Sequence, residues 1–243
     1  MRKALIALTL ILAGVAAAQE EPKLDTANNN IESLPSLQRG AKYFVNYCLG
    51  CHSAKYVRYN RLAQDLELTE QQLVDNLMFT GERPFDTMTN ALRPEDALRW
   101  FGIAPPDVSL IARARGTDYI YTYLRSFYED PSRPTGVNNL VFPSTAMPQV
   151  LWELQGTQRA VFRADAEHEG AAPVFDHFEL TRPGTLSRAE YDLAVLDIVN
   201  FLDYIGEPVQ SERQKLGIRV IGFLLVFLLI AYLLKKEIWK DVK

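Results

Sequence analysis

The stretch "NYCLGCHSAK", Asn46 to Lys55, holds both cysteines of the chain, Cys48 and Cys51, with His52 directly after the second. A redox dithiol asks for a βαβ setting, but the residues before Cys48 read as a helix. A structural zinc site needs two more Cys or His ligands, and the remaining histidines, His168 and His177, lie more than a hundred residues on. A disulfide here would close a two-residue loop and remove little chain entropy. Cys-x-x-Cys-His is the attachment signature of a c-type haem. Two thiols about one helical turn apart can each add to one haem vinyl group, and the histidine that follows projects toward the iron. Both cysteines then become thioethers.

The two ends of the chain say where such a haem would sit. Met-Arg-Lys, an apolar run from Ala4 to Val15 and the small residues Ala16 to Ala18 make a secretory signal peptide over 1–18. As a permanent membrane anchor the run is short. "LGIRVIGFLLVFLLIAYLL", Leu216 to Leu234, is long and apolar enough to cross a bilayer, and its single charge, Arg219, lies near one end. We expect an exported body, an anchor over 211–236 and a lysine-bearing cytoplasmic tail over 237–243, in a bacterial inner membrane with the haem domain in the periplasm. Between Gln19 and Lys215 the chain has 19 basic and 28 acidic residues, about −9. That charge suits a basic protein partner and excludes nucleic acid as an expected one.

Residues 19–35 are polar and read as an extended arm, and 36–210 form one body large enough for a single core. The body reads as mainly α. Ser36 is a candidate cap for "LQRGAKYFVNYC". Thr69 with Gln72, and Ser187 with Glu190, have capping-box spacing. Asp107 is a candidate cap, and Gly116 a stop, for "VSLIARARG". Tyr119, Tyr123 and Phe127 recur at helical spacing. "AVFRA" and "VFDHFEL" can pair as a small hairpin. "GERPFDTMTNALRP" and "DPSRPTGVNNLVFPSTAMPQ" are too long for plain connections, as expected of loops wrapped around a large prosthetic group.

An electron-carrying haem iron keeps a second axial ligand. The candidates are Met78, Met88, Met147, His168 and His177. Met78 falls in a helical apolar pattern and reads as core. Met88 lies in a loop. Met147 lies in "FPSTAMPQ", between Pro143 and Pro148, which stiffen that loop. Met147 is preferred, with Met88 and a bis-histidine iron as the alternatives.

"RGAKYFVNYCLGCHSAKYVRYNRL", "APPDVSLIARARG", "FPSTAMPQ", "VNFLDYIGEP" and the C-terminal apolar segment, in that order, resemble the cytochrome c1 family of proteobacterial type. The resemblance spans nearly the whole chain. It implies a cytochrome c-like haem domain with long wrapping loops and one C-terminal transmembrane helix. It implies one haem c on Cys48 and Cys51, with His52 and Met147 as axial ligands. It implies Arg115 and Tyr119 near a haem propionate, and Pro105 and Pro106 lining the His side. A carbonyl there is a candidate acceptor for the His52 Nδ1–H. The implied function is one-electron transfer from a Rieske iron–sulfur protein to cytochrome c, in a dimeric quinol–cytochrome c oxidoreductase with cytochrome b. The alternative is an anchored cytochrome serving another oxidase or dehydrogenase. The chain departs from the family pattern at Trp100-Phe101-Gly102, where asparagines are common, and has no cysteines for the extra disulfide of some members. Asp165, Glu167, Glu169, Asp176 and Glu179 are a candidate docking patch for the basic acceptor.

Overall fold

A helix pair forms the spine of the fold. In this computed structural model, which describes residues 23–164 and 173–241, the first helix, α1 (Leu34–Tyr43), crosses a long helix near the C-terminus, which we label α8 (Arg188–Gly206). The crossing is close because α1 carries no side chain where it touches: a Cβ on Gly40 would lie 2.0 Å from the Asp197 carbonyl oxygen. A polar knot pins the same crossing. Buried Asp197 accepts from Ser36 Oγ at 2.6 Å and from Arg39 Nε at 2.6 Å and Nη2 at 2.8 Å, and Asn200 Nδ2 donates to Ser36 Oγ at 2.7 Å. Ser36 is therefore an interface residue and not the expected cap. Pro35 sits in the first turn of α1. Its fixed φ and missing N–H suit a helix start, so the helix begins ahead of Ser36 and turns that hydroxyl inward.

The other elements follow in chain order: β1 (Ala54–Arg58), α2 (Tyr59–Asp65), α3 (Glu70–Asn76), β2 (Thr87–Met88), α4 (Pro94–Phe101), α5 (Ile111–Arg115), α6 (Thr117–Arg125), β3 (Phe127–Glu129), β4 (Val137–Asn139), α7 (Trp152–Gln155), β5 (Gly156–Arg163) and β6 (Val174–Pro183) ahead of α8, then α9 (Gln210–Ile238). The three sheets described are two-stranded and antiparallel, so the protein is mainly α. Both capping boxes form, Thr69 with Gln72 and Ser187 with Glu190. The hairpin forms too, with Ala160 opposite Phe178 and Arg163 opposite Val174. Two local expectations change. Asp107 caps no helix, since α5 starts only at Ile111; it accepts instead from Ser109 N at 3.0 Å and Lys55 N at 2.9 Å. Phe127 leaves the helix and opens β3, but its ring still packs edge-on to Tyr123 at 5.1 Å.

The core gathers Leu37, Phe44, Tyr59, Leu62, Leu73, Val195, Ile198 and Phe201 between α1, α2, α3 and α8. The arm at 23–33 is without regular structure but clipped down. Asp25 N donates to Thr122 Oγ1 at 2.8 Å, Ala27 N to Asp118 Oδ1 at 2.8 Å and Asn30 N to Asn200 Oδ1 at 2.6 Å. Glu207 ties the elbow between α8 and α9, taking Arg113 at 2.9 Å and Arg213 at 2.5 Å. Beyond it α9 runs 29 residues, roughly 43 Å at the helical rise, with no residue buried. Among the described residues it is the one helix long and apolar enough to cross a membrane.

Candidate haem-binding site

The cysteines sit where α1 changes its winding. Phe44–Cys48 is a π-helical turn, with Leu49 N donating to Phe44 O at 2.9 Å. Such turns recur at functional sites because the extra residue re-aims the side chains that follow. The chain then closes one more turn, as Cys51 N and His52 N both donate to Cys48 O, at 3.0 and 2.8 Å. Cys48 and Cys51 thus lie three residues apart on one face, both half-buried and unpaired with each other. Burial and the neighbouring Cys51 push the Cys48 thiol up to about 12, opposite to the lowered value of a redox-active thiol. Among the described residues no three His, Cys, Asp or Glu side chains group as a metal-ion site.

His52 is oriented from across the chain. Its Nδ1 lies 2.8 Å from Pro106 O. A carbonyl only accepts, so Nδ1 carries the proton and the Nε2 lone pair stays free for a metal. Burial lowers the affinity of the ring for a second proton, against the pull of Pro106 O and Asp107. The loop behind His52 is sewn to the same segment. Val108 N donates to Ser53 O at 2.8 Å, and Asp107 Oδ2 and Ser109 Oγ take the N–H groups of Lys55 and Tyr56. From the other side Asn90 donates to Cys51 O, while its own N–H reaches Ser53 Oγ at 3.0 Å. Pro105 is half-buried beside Pro106. Trp100 is exposed, and Gly102 ends α4 with a φ of 75°.

Arg115, Tyr119 and Met147 form a second group. The Arg115 guanidinium lies over the Tyr119 ring at 5.5 Å, within cation–π range. Tyr119 stacks on Tyr123 at 6.1 Å and 10°, and Tyr123 Oη reaches Met147 Sδ at 3.5 Å. Side-chain hydrogen bonds shape the Met147 loop. Buried Asn139 accepts from Val141 N and Phe142 N and donates to Tyr123 O at 2.8 Å, and Asn138 Oδ1 takes Ser144 N. Met147 and Cys48 pack against the same core.

The rival ligands are placed differently. Met88 is fully buried in β2 opposite Ala54. Met78 is half-buried against the core near Tyr59 and Gly81. His177 is exposed on the hairpin with Nδ1 2.8 Å from Asp176. His168 lies outside the described residues, as do the expected signal peptide and three of the five patch acids. The other two acids already face basic groups, Glu179 with Arg159 and Asp176 with His177. Sequence reading missed Asn90 and Asn139, and Thr145, whose hydroxyl oxygen accepts from Met147 N at 3.3 Å, as supports of the site. Tyr123 was visible at i+4 from Tyr119 but read only as helix packing.

Comparison with known proteins shows the family. The Cytochrome C1 family model matches residues 31–242. A cytochrome c1 of Allochromatium vinosum is 51% identical over the full length of both chains. A Nitrosomonas europaea protein named ammonia monooxygenase gamma subunit is 45% identical over 97% of this chain and 96% of its own. The mitochondrial cytochrome c1 haem protein of Schizosaccharomyces pombe is 30% identical over 86% of this chain and 67% of its own. The chain therefore belongs to the cytochrome c1 family, the membrane-anchored haem subunit that carries electrons in the quinol–cytochrome c oxidoreductase complex containing cytochrome b.

Proposed function

We propose that the chain holds one haem c through thioethers to Cys48 and Cys51, with His52 Nε2 and Met147 Sδ as axial ligands, and relays single electrons from the Rieske protein to cytochrome c. The observation that carries this reading is the His52 Nδ1–H hydrogen bond to Pro106 O on the turn bearing both thiols. It leaves the other ring nitrogen available, as a histidine ligand requires. The donor set fits the group: two thiols on one face, an oriented imidazole, and a thioether in a loop held by buried asparagine bonds. When bound, the haem supplies a one-electron couple with a soft sulfur ligand that favours ferrous iron.

The remaining residues bind and orient. Arg115, steadied over Tyr119, would offer a cation to a haem propionate, whose burial would be costly if unpaired. Pro105 and Pro106 close the His side. The body, with the haem, faces the periplasm; α9 passes through the inner membrane to a cytoplasmic C-terminus, and residues 1–18 are removed as a signal peptide. The whole works within a dimeric complex.

The test is isolation from native membranes with a mild detergent. A pyridine haemochrome spectrum of c type, six-coordinate and low-spin, with cytochrome b and a Rieske protein in the same particle, is the expected result. A high-spin haem with an open position, or isolation with an oxygenase or another oxidase in place of cytochrome b, overturns the proposal.

A further inference from the structure

Three hydrogen bonds around Met147 close into a ring. Met147 N donates to Thr145 Oγ1 at 3.3 Å, Tyr123 Oη and Thr145 Oγ1 are 2.9 Å apart, and Tyr123 Oη lies 3.5 Å from Met147 Sδ. The proton directions follow from the inventory. A thioether sulfur only accepts, so the single hydroxyl proton of Tyr123 points at Met147 Sδ. Tyr123 Oη must then accept from Thr145, whose own oxygen takes the Met147 N–H. Each proton has one acceptor and the ring runs in one direction. Thr145 is buried, and the Tyr123 ring is held between Tyr119 on one side and Phe127 on the other, so the hydroxyl has little freedom to leave.

We infer that Tyr123 is a positioning residue for the Met147 ligand: its hydroxyl occupies one sulfur lone pair, aims the other at the iron and raises the haem potential. This rests on Met147 being the axial ligand. A sulfur with two lone pairs can accept one hydrogen bond and still bind a metal. The oxidised iron draws more electron density from sulfur than the reduced iron does. A proton donor on the same sulfur competes for that density and penalises the oxidised form more.

The experiment uses the full-length holoprotein in its membranes. Tyr123→Phe keeps the ring and its packing and removes only the hydroxyl. The reduction equilibrium is expected to shift about fivefold toward the oxidised form, the weight of one net hydrogen bond, or about 40 mV lower at 59 mV per tenfold. The Met–iron charge-transfer band persists with a changed energy, and the melting temperature stays near wild type. Met147→Leu separates the two claims. If the band survives Met147→Leu, the ligand assignment falls and this inference with it. If the band is lost there, but Tyr123→Phe keeps the wild-type potential and band energy, the role of Tyr123 alone is refuted.

Discussion

Gly40→Ala tests the close helix crossing that forms the spine of the fold. The added methyl would meet Asp197 O at 2.0 Å, Phe201 Cβ at 2.7 Å and Asp197 C at 2.8 Å. Carbon atoms rest about 3.5 Å from their neighbours, so α1 and α8 must separate by roughly 1.5 Å, the difference from the closest contact. Two of the three obstacles are backbone and cannot rotate away. Overpacking of this kind costs about 1–3 kcal/mol, and a backbone obstacle belongs at the upper end. Alanine recovers about 1 kcal/mol of helix propensity over glycine. The net is about 2 kcal/mol, a fall of roughly 4–8 °C in melting temperature for a body of this size. Thermal unfolding of the detergent-solubilised holoprotein, followed by near-UV dichroism, measures it. Gly217→Ala in α9, where no atom lies within 4 Å of the added carbon, is the control and should show the propensity gain of about 1 kcal/mol without the contact cost. A melting temperature for Gly40→Ala at or above wild type would show that propensity outweighs contact and would refute the close-crossing account.

Met147→His puts a harder donor in place of the proposed soft ligand; the midpoint potential should fall sharply in a potentiometric titration, and an unchanged potential removes Met147 as the ligand. Ser187→Ala deletes the cap of α8 and should cost about 1 kcal/mol at neutral pH, measured by denaturant unfolding. The Ser187 hydroxyl and N–H hold Glu190 below its usual carboxylate range. A lowered carboxylate stabilises fully above the unfolded value of about 4.3 and loses that contribution as pH falls through the folded value. The gap between wild type and Ser187→Ala should therefore narrow in acid; a constant gap down to pH 3 contradicts the box. Neutralising Asp165, Glu167, Glu169, Asp176 and Glu179 together should flatten the fall of the electron-transfer rate with rising salt, and an unaltered salt slope in stopped-flow kinetics dismisses the patch.

Much of the site was legible where its chemistry is local. Cys48, Cys51 and His52 fall within five consecutive positions, so their shared face follows from local helical geometry alone. The boxes at Thr69 and Ser187 span three residues and form as spelled. The apolar run after Leu216 needs no partner to be read. Ser36 and Asp107 misled because each has the residue type of a cap, but found a better partner across the fold: Asp197, 161 positions away, and Lys55, 52 positions away. Ser36 goes to a buried carboxylate whose desolvation would otherwise be uncompensated, whereas Asp107 takes the backbone N–H groups of Ser109 and Lys55 in a loop ahead of the helix.

By itself the sequence determined the Cys-x-x-Cys-His turn, the helical class and the apolar C-terminal helix, because periodicity, spacing and hydropathy are properties of contiguous residues. Only the tertiary structure decided which nitrogen of His52 is free, through a carbonyl 54 residues away. It alone decided that the Met147 sulfur carries a hydroxyl from 24 residues upstream, and that α1 can approach α8 only through a glycine. Those are distances between segments far apart in the chain. They are set by how the core packs, which no local pattern encodes.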